Sequence, residues 1–295
     1  MRTTSETYRA WHQHATQLLR AKPGSDPGEA HSAARLLLDF AVGTRYAHLV
    51  APERSLEPDT LAWLGTALDS AAAGTPLPYI LGTIEFFGRP FRSDRRALIP
   101  RPETELLIQA VLDRLQARQR PGLLKLADLG TGSGCIAVTL ALELAGSQIY
   151  ATDIEAGARE LATANALTYG AQVTVLEGAA ASWTAPVAGH APFDAIVSNP
   201  PYIAREALAS LAIGVRDFEP RAALDGGEDG LDPYRSLARE SGPFLAQDGF
   251  LAAELGAGQF EDAARIFLNE GWRVEAPILD LQGHARVLVA RFCFT

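Results

Sequence analysis

Asn199-Pro200-Pro201-Tyr202 is the segment whose residue types point most directly at chemistry. It follows the apolar run Phe193-Asp194-Ala195-Ile196-Val197-Ser198. Proline neither continues a helix nor donates to a sheet ladder, so the spacing predicts a strand ending in a stiff turn. Such a turn fixes the Asn199 side-chain amide and the Pro200 carbonyl in place. Two acceptors so placed suit a planar NH2 group, with the Tyr202 ring available to stack on its face. An isolated Asn-Pro would be read as a capping turn, but the segments upstream favour the chemical reading.

Asp128-Leu129-Gly130-Thr131-Gly132-Ser133-Gly134 follows one predicted strand and opens a predicted helix. Its glycines let the backbone turn tightly and approach a ligand. The spacing is G-x-G-x-G, with Cys135 where a dinucleotide site would leave one more residue before its third glycine. A pyrophosphate is therefore not the expected guest. An adenosine-bearing ligand without phosphates fits better, and S-adenosylmethionine is the common one. Asp153 closes the next predicted strand, where a carboxylate accepts both hydroxyls of a ribose. The competing reading of Asp153 is a helix cap before Ile154-Glu155.

These residues need a sheet to hold them. From Leu124 onward the pattern alternates: strands at 124–129, 148–152, 173–176, 194–197 and 250–254, helices at 135–144, 156–169, 234–245 and 260–269. The segments 272–276 and 285–292 resemble an antiparallel end pair. Such alternation implies a mostly parallel sheet with helices on both faces, and ligands at the carboxyl ends of its strands. The expected fold is α/β, doubly wound, with seven strands. Before it, residues 1–75 read as a helical bundle, with apolar residues at helical spacing through Tyr8, Trp11, Ala15 and Leu19 and again through Ala34, Leu37 and Leu38. Pro23-Gly24-Ser25-Asp26-Pro27 is turn chemistry. Residues 76–100 read as a β-hairpin linker, with strands expected at 79–82, 84–88 and 91–99, and 101–295 as the main domain. Arg101-Pro102-Glu103-Thr104-Glu105 opens a helix, its acids opposing the positive end of the dipole.

The 295 residues suffice for one large domain and a small one. The composition, 47% hydrophobic and 21% charged, is that of a folded soluble protein. The N-terminus has no compact apolar segment of the secretory kind. A formal charge of −9 argues against gripping a nucleic-acid backbone. One basic run, Arg89, Arg92, Arg95, Arg96 and Arg101, interrupts this acidity, as a solvated hairpin or as a docking surface for a protein substrate. Cys135 and Cys293 form neither a metal-spaced cluster nor a disulfide framework and read as small core residues. No metal site is expected.

The Gly loop and the Asn-Pro-Pro-Tyr turn together resemble class I S-adenosylmethionine methyltransferases acting on a planar nitrogen. Three further segments narrow the resemblance: Pro78-Tyr79-Ile80-Leu81-Gly82, the stretch from Leu98 to Glu105, and the stretch from Glu219 to Leu231. With these the chain is similar to the peptide-chain-release-factor glutamine methyltransferases, the PrmC/HemK family, over nearly its whole length. That resemblance implies methylation of the glutamine amide in the Gly-Gly-Gln loop of release factors. It implies a cytoplasmic monomer that acts on protein, with no direct nucleic-acid or membrane partner. It assigns Gly130, Thr131, Gly132, Ser133 and Gly134 to the methionine part of the cofactor, Asp153 to its ribose and Trp183 to its adenine, with Asn199 a further cofactor contact. Asn199 and the Pro200 carbonyl would accept the amide hydrogens, with Pro201 and Tyr202 completing the catalytic and substrate-binding turn. Gly178 departs from the family pattern, being followed by Ala179-Ala180-Ala181-Ser182 rather than an acid. The alternative is an adenine-amine methyltransferase of DNA or RNA, which shares the loop and the turn.

Overall fold

The computed structural model describes residues 6–21, 26–117 and 123–294. The Pro23-Gly24-Ser25 part of the expected turn lies outside the described residues. The chain forms two compact units, one of Met1–Gly82 with Ile213–Phe218, the other of Thr83–Ala212 with Glu219–Thr295. This differs from the expected partition at 75 and 100. The helical unit runs on to Gly82 and borrows a late segment, and the hairpin belongs to the second unit.

The first unit contains α1 (Tyr8–Arg20), α2 (Pro27–Val42), α3 (Ala47–Val50), α4 (Pro58–Ala72) and α5 (Leu77–Leu81). Thr7 caps α1 by accepting from the Ala10 amide, and Asp26 caps α2 by accepting from Gly28 and Glu29. Each helix turns an apolar stripe to one core of Trp11, Ala15, Leu37, Leu38, Leu64 and Leu68. The α5 segment was expected as a strand. Pro78 in the first turn and left-handed Gly82 at the end make it a helical turn instead. Leu77, Ile80 and Leu81, at helical spacing, pack on that core. Tertiary contact therefore overrides the strand preference of Tyr79 and Ile80.

The second unit opens with the hairpin β1 (Thr83–Phe86) and β2 (Arg89–Arg92), turned through Phe87 and Gly88, both at positive φ. It is not a linker, because Phe86 and Phe91 are buried in the main core. The strand expected to continue to Ile99 stops at Arg92. Asp94 there accepts from the Arg96 amide at 3.1 Å and bends the chain. Helix α6 (Thr104–Gln116) follows, then β3 (Lys125–Leu129), α7 (Cys135–Glu143), β4 (Gln148–Asp153), α8 (Ala156–Tyr169), β5 (Val173–Glu177) and β6 (Phe193–Ser198). The short α9 (Ile213–Arg216) counts with the first unit, where Ile213 sits against Gly74. The chain then forms α10 (Asp232–Ser241), β7 (Leu245–Glu254), α11 (Phe260–Asn269), β8 (Trp272–Val274), β9 (Ile278–Leu279) and β10 (Ala285–Phe292). The helix expected to reach Leu245 ends at Ser241, because Gly242-Pro243 breaks it into a short 3-10 turn, and β7 begins at Leu245.

The sheet runs β5-β4-β3-β6-β7-β10-β8, seven strands on one path, with the two-residue β9 adding an eighth beside β10. Strand β10 is antiparallel to its neighbours and the rest pair parallel. Both faces are apolar: on β7 and β10, Phe250, Ala252, Val287 and Val289 face one core, while Leu251, Ala253, Leu288 and Ala290 face the other. The order reverses between β3 and β6, so their carboxyl ends flank the crevice where ligands bind in such sheets. The Gly loop leaves β3 and Asn199 leaves β6. Ser198 donates to the Leu129 carbonyl at 2.6 Å and ties these two ends together.

Candidate active site

The loop after β3 is shaped by Gly130, Gly132 and Gly134 at φ of 77°, 55° and 79°. Four of its amides are turned inward. Gly130 and Thr131 donate to the Thr152 carbonyl, Gly134 donates to that of Thr131, and Gly132 donates to Asp153 Oδ2 at 2.9 Å. A phosphate cradle needs such N–H groups free to point at the ligand, so a nucleoside without phosphates is the better fit. Beneath the loop, buried Asp128 accepts from Thr131 Oγ1 and the Ala137 amide. Burial pushes its carboxyl up to about 7. Asn165 donates to the Ser133 carbonyl at 2.8 Å and exchanges hydrogen bonds with the Arg92 backbone, tying loop and hairpin to α8.

Asp153 stands at the end of β4, on the rim. Besides Gly132 it accepts from the Glu155 amide, and burial raises its carboxyl above the usual range. Each carboxylate oxygen offers two lone pairs, so one on each remains for a ribose hydroxyl. Gly178 fits where a side chain would collide with the Asp153 backbone at 2.7 Å. Trp183 stands beside Gly130, its ring 3.2 Å from where a β-carbon would be. Glu240 holds this aromatic in place by accepting from the Trp183 amide and from Ser182 Oγ.

The turn after β6 is held from behind by the stretch from Glu219 to Leu231. The Ile203 amide donates to the Leu224 carbonyl, and Gly226 donates back to Ile203. At Gly226 a β-carbon would lie 2.9 Å from the Pro201 carbonyl and the Tyr202 Cα. Glu219, its side chain only 1% exposed, pairs with Arg101 and accepts from the Ile99 amide. The Leu98–Glu105 and Glu219–Leu231 segments are therefore two halves of one contact. Asn199 donates through Nδ2 to Thr104 Oγ1 at 3.1 Å, and Thr104 donates to buried Glu254 Oε2 at 2.6 Å. Asn199 Oδ1 is buried with no hydrogen-bond partner among the described residues. Sequence reasoning missed Thr104 and Glu254. Thr104 falls inside the Leu98–Glu105 segment with nothing local to give it a role, and Glu254 merely closes an apolar strand.

One cavity of about 510 Å³ joins these parts. It is lined by Gly130, Thr131, Gly132, Ser133, Asp153, Trp183, Asn199 and Pro201, and by Thr104. Gly134 is not among the lining residues. A β-carbon there would meet Ala162 of α8 at 2.9 Å, so this glycine serves close helix packing. Pro200 and Tyr202 also stand outside the lining set. Pro200 is buried, and Tyr202 packs on the core, its phenol pushed up to about 12 by burial and by Glu254.

The basic run is largely neutralised: Arg89 pairs with Glu143, Arg96 with Asp94 and Glu160, and Arg101 with Glu219. Cys135 is buried as expected, but Cys293 is exposed because it lies past the end of β10. In the helical unit, His12, His31 and His48 bring ligand atoms within 4.8 Å of one another, a grouping that sequence spacing does not foretell. His12 and His48 stack face to face at 4.0 Å. The in-plane lone pairs of stacked rings run side by side and do not converge on one ion.

The fold is that of a class I methyltransferase. The catalytic domain of hMettl16 superposes with a TM-score of 0.56 over 83% of this chain and 86% of that one, at 17% identity, a likeness of fold. Residues 10–82 match the PrmC N-terminal domain and residues 103–216 the methyltransferase small domain. A release factor glutamine methyltransferase of Agrobacterium fabrum is 38% identical, covering 88% of this chain and 89% of its own. Another, of Geobacter sulfurreducens, is 42% identical over 80% of each chain. The chain belongs to the release factor glutamine methyltransferase family.

Proposed function

We propose that this enzyme transfers a methyl group from S-adenosylmethionine to the side-chain amide nitrogen of the glutamine in the Gly-Gly-Gln motif of peptide chain release factors. The observation that carries the reading is Asn199 Oδ1, a buried acceptor left without a donor in a cavity-lining side chain. An orphaned buried acceptor costs about 1–3 kcal/mol unless a ligand satisfies it, and a substrate N–H would do so.

When bound, S-adenosylmethionine supplies a methyl group on an electrophilic sulfonium. Gly130 to Ser133 would line its methionine part, Asp153 would accept from its ribose, and Trp183 would flank its adenine. An amide nitrogen is a weak nucleophile because its lone pair is shared with the carbonyl. Acceptance of both amide hydrogens, by Asn199 Oδ1 and the Pro200 carbonyl, would return electron density to nitrogen. The rigid Pro200-Pro201 turn, backed by Gly226, holds those acceptors still. Alignment of this kind supplies roughly 7–11 kcal/mol in favourable cases. No general base is required if the proton leaves after transfer, when nitrogen is cationic.

The helical unit is assigned the docking of the protein substrate. The same reading makes the enzyme a cytoplasmic monomer that engages neither nucleic acid nor membrane. Among the described residues no helix is long and apolar enough to cross a membrane. The test uses labelled S-adenosylmethionine with a release factor, its Gln→Ala form, DNA and RNA. Asn199→Ala should lose transfer to the release factor by about a hundredfold or more while cofactor affinity changes little. Full activity of that variant, or transfer to nucleic acid in place of the factor, would overturn the assignment.

A further inference from the structure

We propose that Thr104 and Glu254 are positioning residues that hold the Asn199 amide in the one orientation from which its oxygen accepts a substrate amide hydrogen. This rests on the reading of Asn199 as the acceptor. Thr104 Oγ1 carries a single hydrogen, directed at Glu254 Oε2 at 2.6 Å, within the charge-assisted range. Toward Asn199 it therefore offers only lone pairs, and the group 3.1 Å away must be the Nδ2 donor. The two flip states of an amide have nearly the same shape, so packing alone does not choose between them. The carboxylate chooses, both through the threonine and by its own hydrogen bond with the Asn199 side chain.

Protonating Glu254 reverses the chain. The acid then donates to Oγ1, Thr104 donates onward, and the amide oxygen of Asn199 is drawn to the threonine. An incoming NH2 group would meet an NH2 group. The carboxyl of Glu254 faces the charges of Glu103 and Arg286, the Thr104 hydroxyl and the Asn199 amide. Its field also reaches the phenols of Tyr202 and Tyr234 and the Cys135 thiol. Burial dominates and pushes this carboxyl up to about 7, with Thr104 opposing. The working orientation is thus held above neutrality and lost as pH falls through about 7.

The test uses the full chain and the variants Thr104→Val, Thr104→Ser and Glu254→Gln. Thr104→Val should lower kcat roughly ten- to a hundredfold, the worth of one charge-assisted hydrogen bond. Cofactor Kd should move far less, and Thr104→Ser should restore most of kcat. Wild-type kcat should show an acid limb near pH 7 that Glu254→Gln removes. Independently of turnover, the Asn199 side-chain NH2 signal in 15N NMR should titrate with that midpoint in wild type and not in Glu254→Gln. That signal supports the relay even if no release factor is methylated, which separates its failure from that of the proposed reaction. Wild-type kcat in Thr104→Val, an acid limb unmoved by Glu254→Gln, or an Asn199 signal indifferent to pH would overturn the proposal.

Discussion

Replacing Asp153 with alanine tests the cofactor half of the site in isolation from the acceptor half. The carboxylate already takes the Gly132 amide on Oδ2 and the Glu155 amide on Oδ1, both at 2.9 Å. Its remaining lone pairs are the ones available to two ribose hydroxyls. Hydrogen bonds to a charged acceptor contribute about 1.5 kcal/mol each at the low end, so losing two removes about 3 kcal/mol, a rise in Kd of roughly a hundredfold. The freed Gly132 and Glu155 amides add a further effect, on the fold. At about 1 kcal/mol each they should lower the melting temperature of the ligand-free enzyme by roughly 4–8 °C. Asp153→Asn separates the two effects: its single oxygen keeps one backbone contact, and its NH2 opposes the other amide. Its Kd should fall between those of wild type and Asp153→Ala. Calorimetry with S-adenosylhomocysteine measures binding without turnover, and thermal denaturation measures the fold. An Asp153→Ala protein that melts a few degrees early but binds with wild-type affinity would refute the ribose role and leave Asp153 a loop anchor.

Gly134→Ala places a β-carbon 2.9 Å from Ala162 at a φ of 79°, so it combines a clash with an unfavourable backbone angle. Stability should fall by about 2–4 kcal/mol, read by chemical denaturation, because Gly134 packs a helix rather than lining the cavity. Wild-type stability would remove that assignment. In the helical unit, burial, with His48 beside it, pushes the His12 imidazole down to about 4. The unfolded chain binds that proton below about 6.5, whereas the folded chain does so only near 4. Stability should therefore rise with pH across this window and be lost as pH falls through it. Melting curves of His12→Gln should depend less on pH than those of wild type, and identical dependence would show that His12 binds its proton equally well in the folded and unfolded chain.

Much of the site was legible because its chemistry is local. Gly130, Gly132 and Gly134 advertise positive φ, two prolines after an apolar run stop a strand, and an acid at the next strand end lies where an α/β sheet puts its ligand. Period-2 and period-3.6 patterns placed most elements within a residue or two. They failed at Tyr79–Gly82, where packing on the helical core overrode strand preference, and at Phe91–Ile99, where the Asp94 side chain turned the backbone. They also made a linker of a hairpin whose phenylalanines belong to the main core.

The sequence by itself determined that a glycine loop, an acid and an Asn-Pro-Pro-Tyr turn recur in the order a methyl-transfer site needs, because torsional freedom, proline stiffness and strand period depend on neighbours along the chain. Only the tertiary structure decided how those parts are held. It brought Thr104 and Glu254, 150 positions apart, within one hydrogen bond of each other and turned the Asn199 amide toward them. It joined Arg101 to Glu219 across 118 positions, and it packed Gly134 closely against Ala162 of α8. Hydrogen-bond direction and burial depend on residues distant in the chain, and those meet only when the sheet has formed.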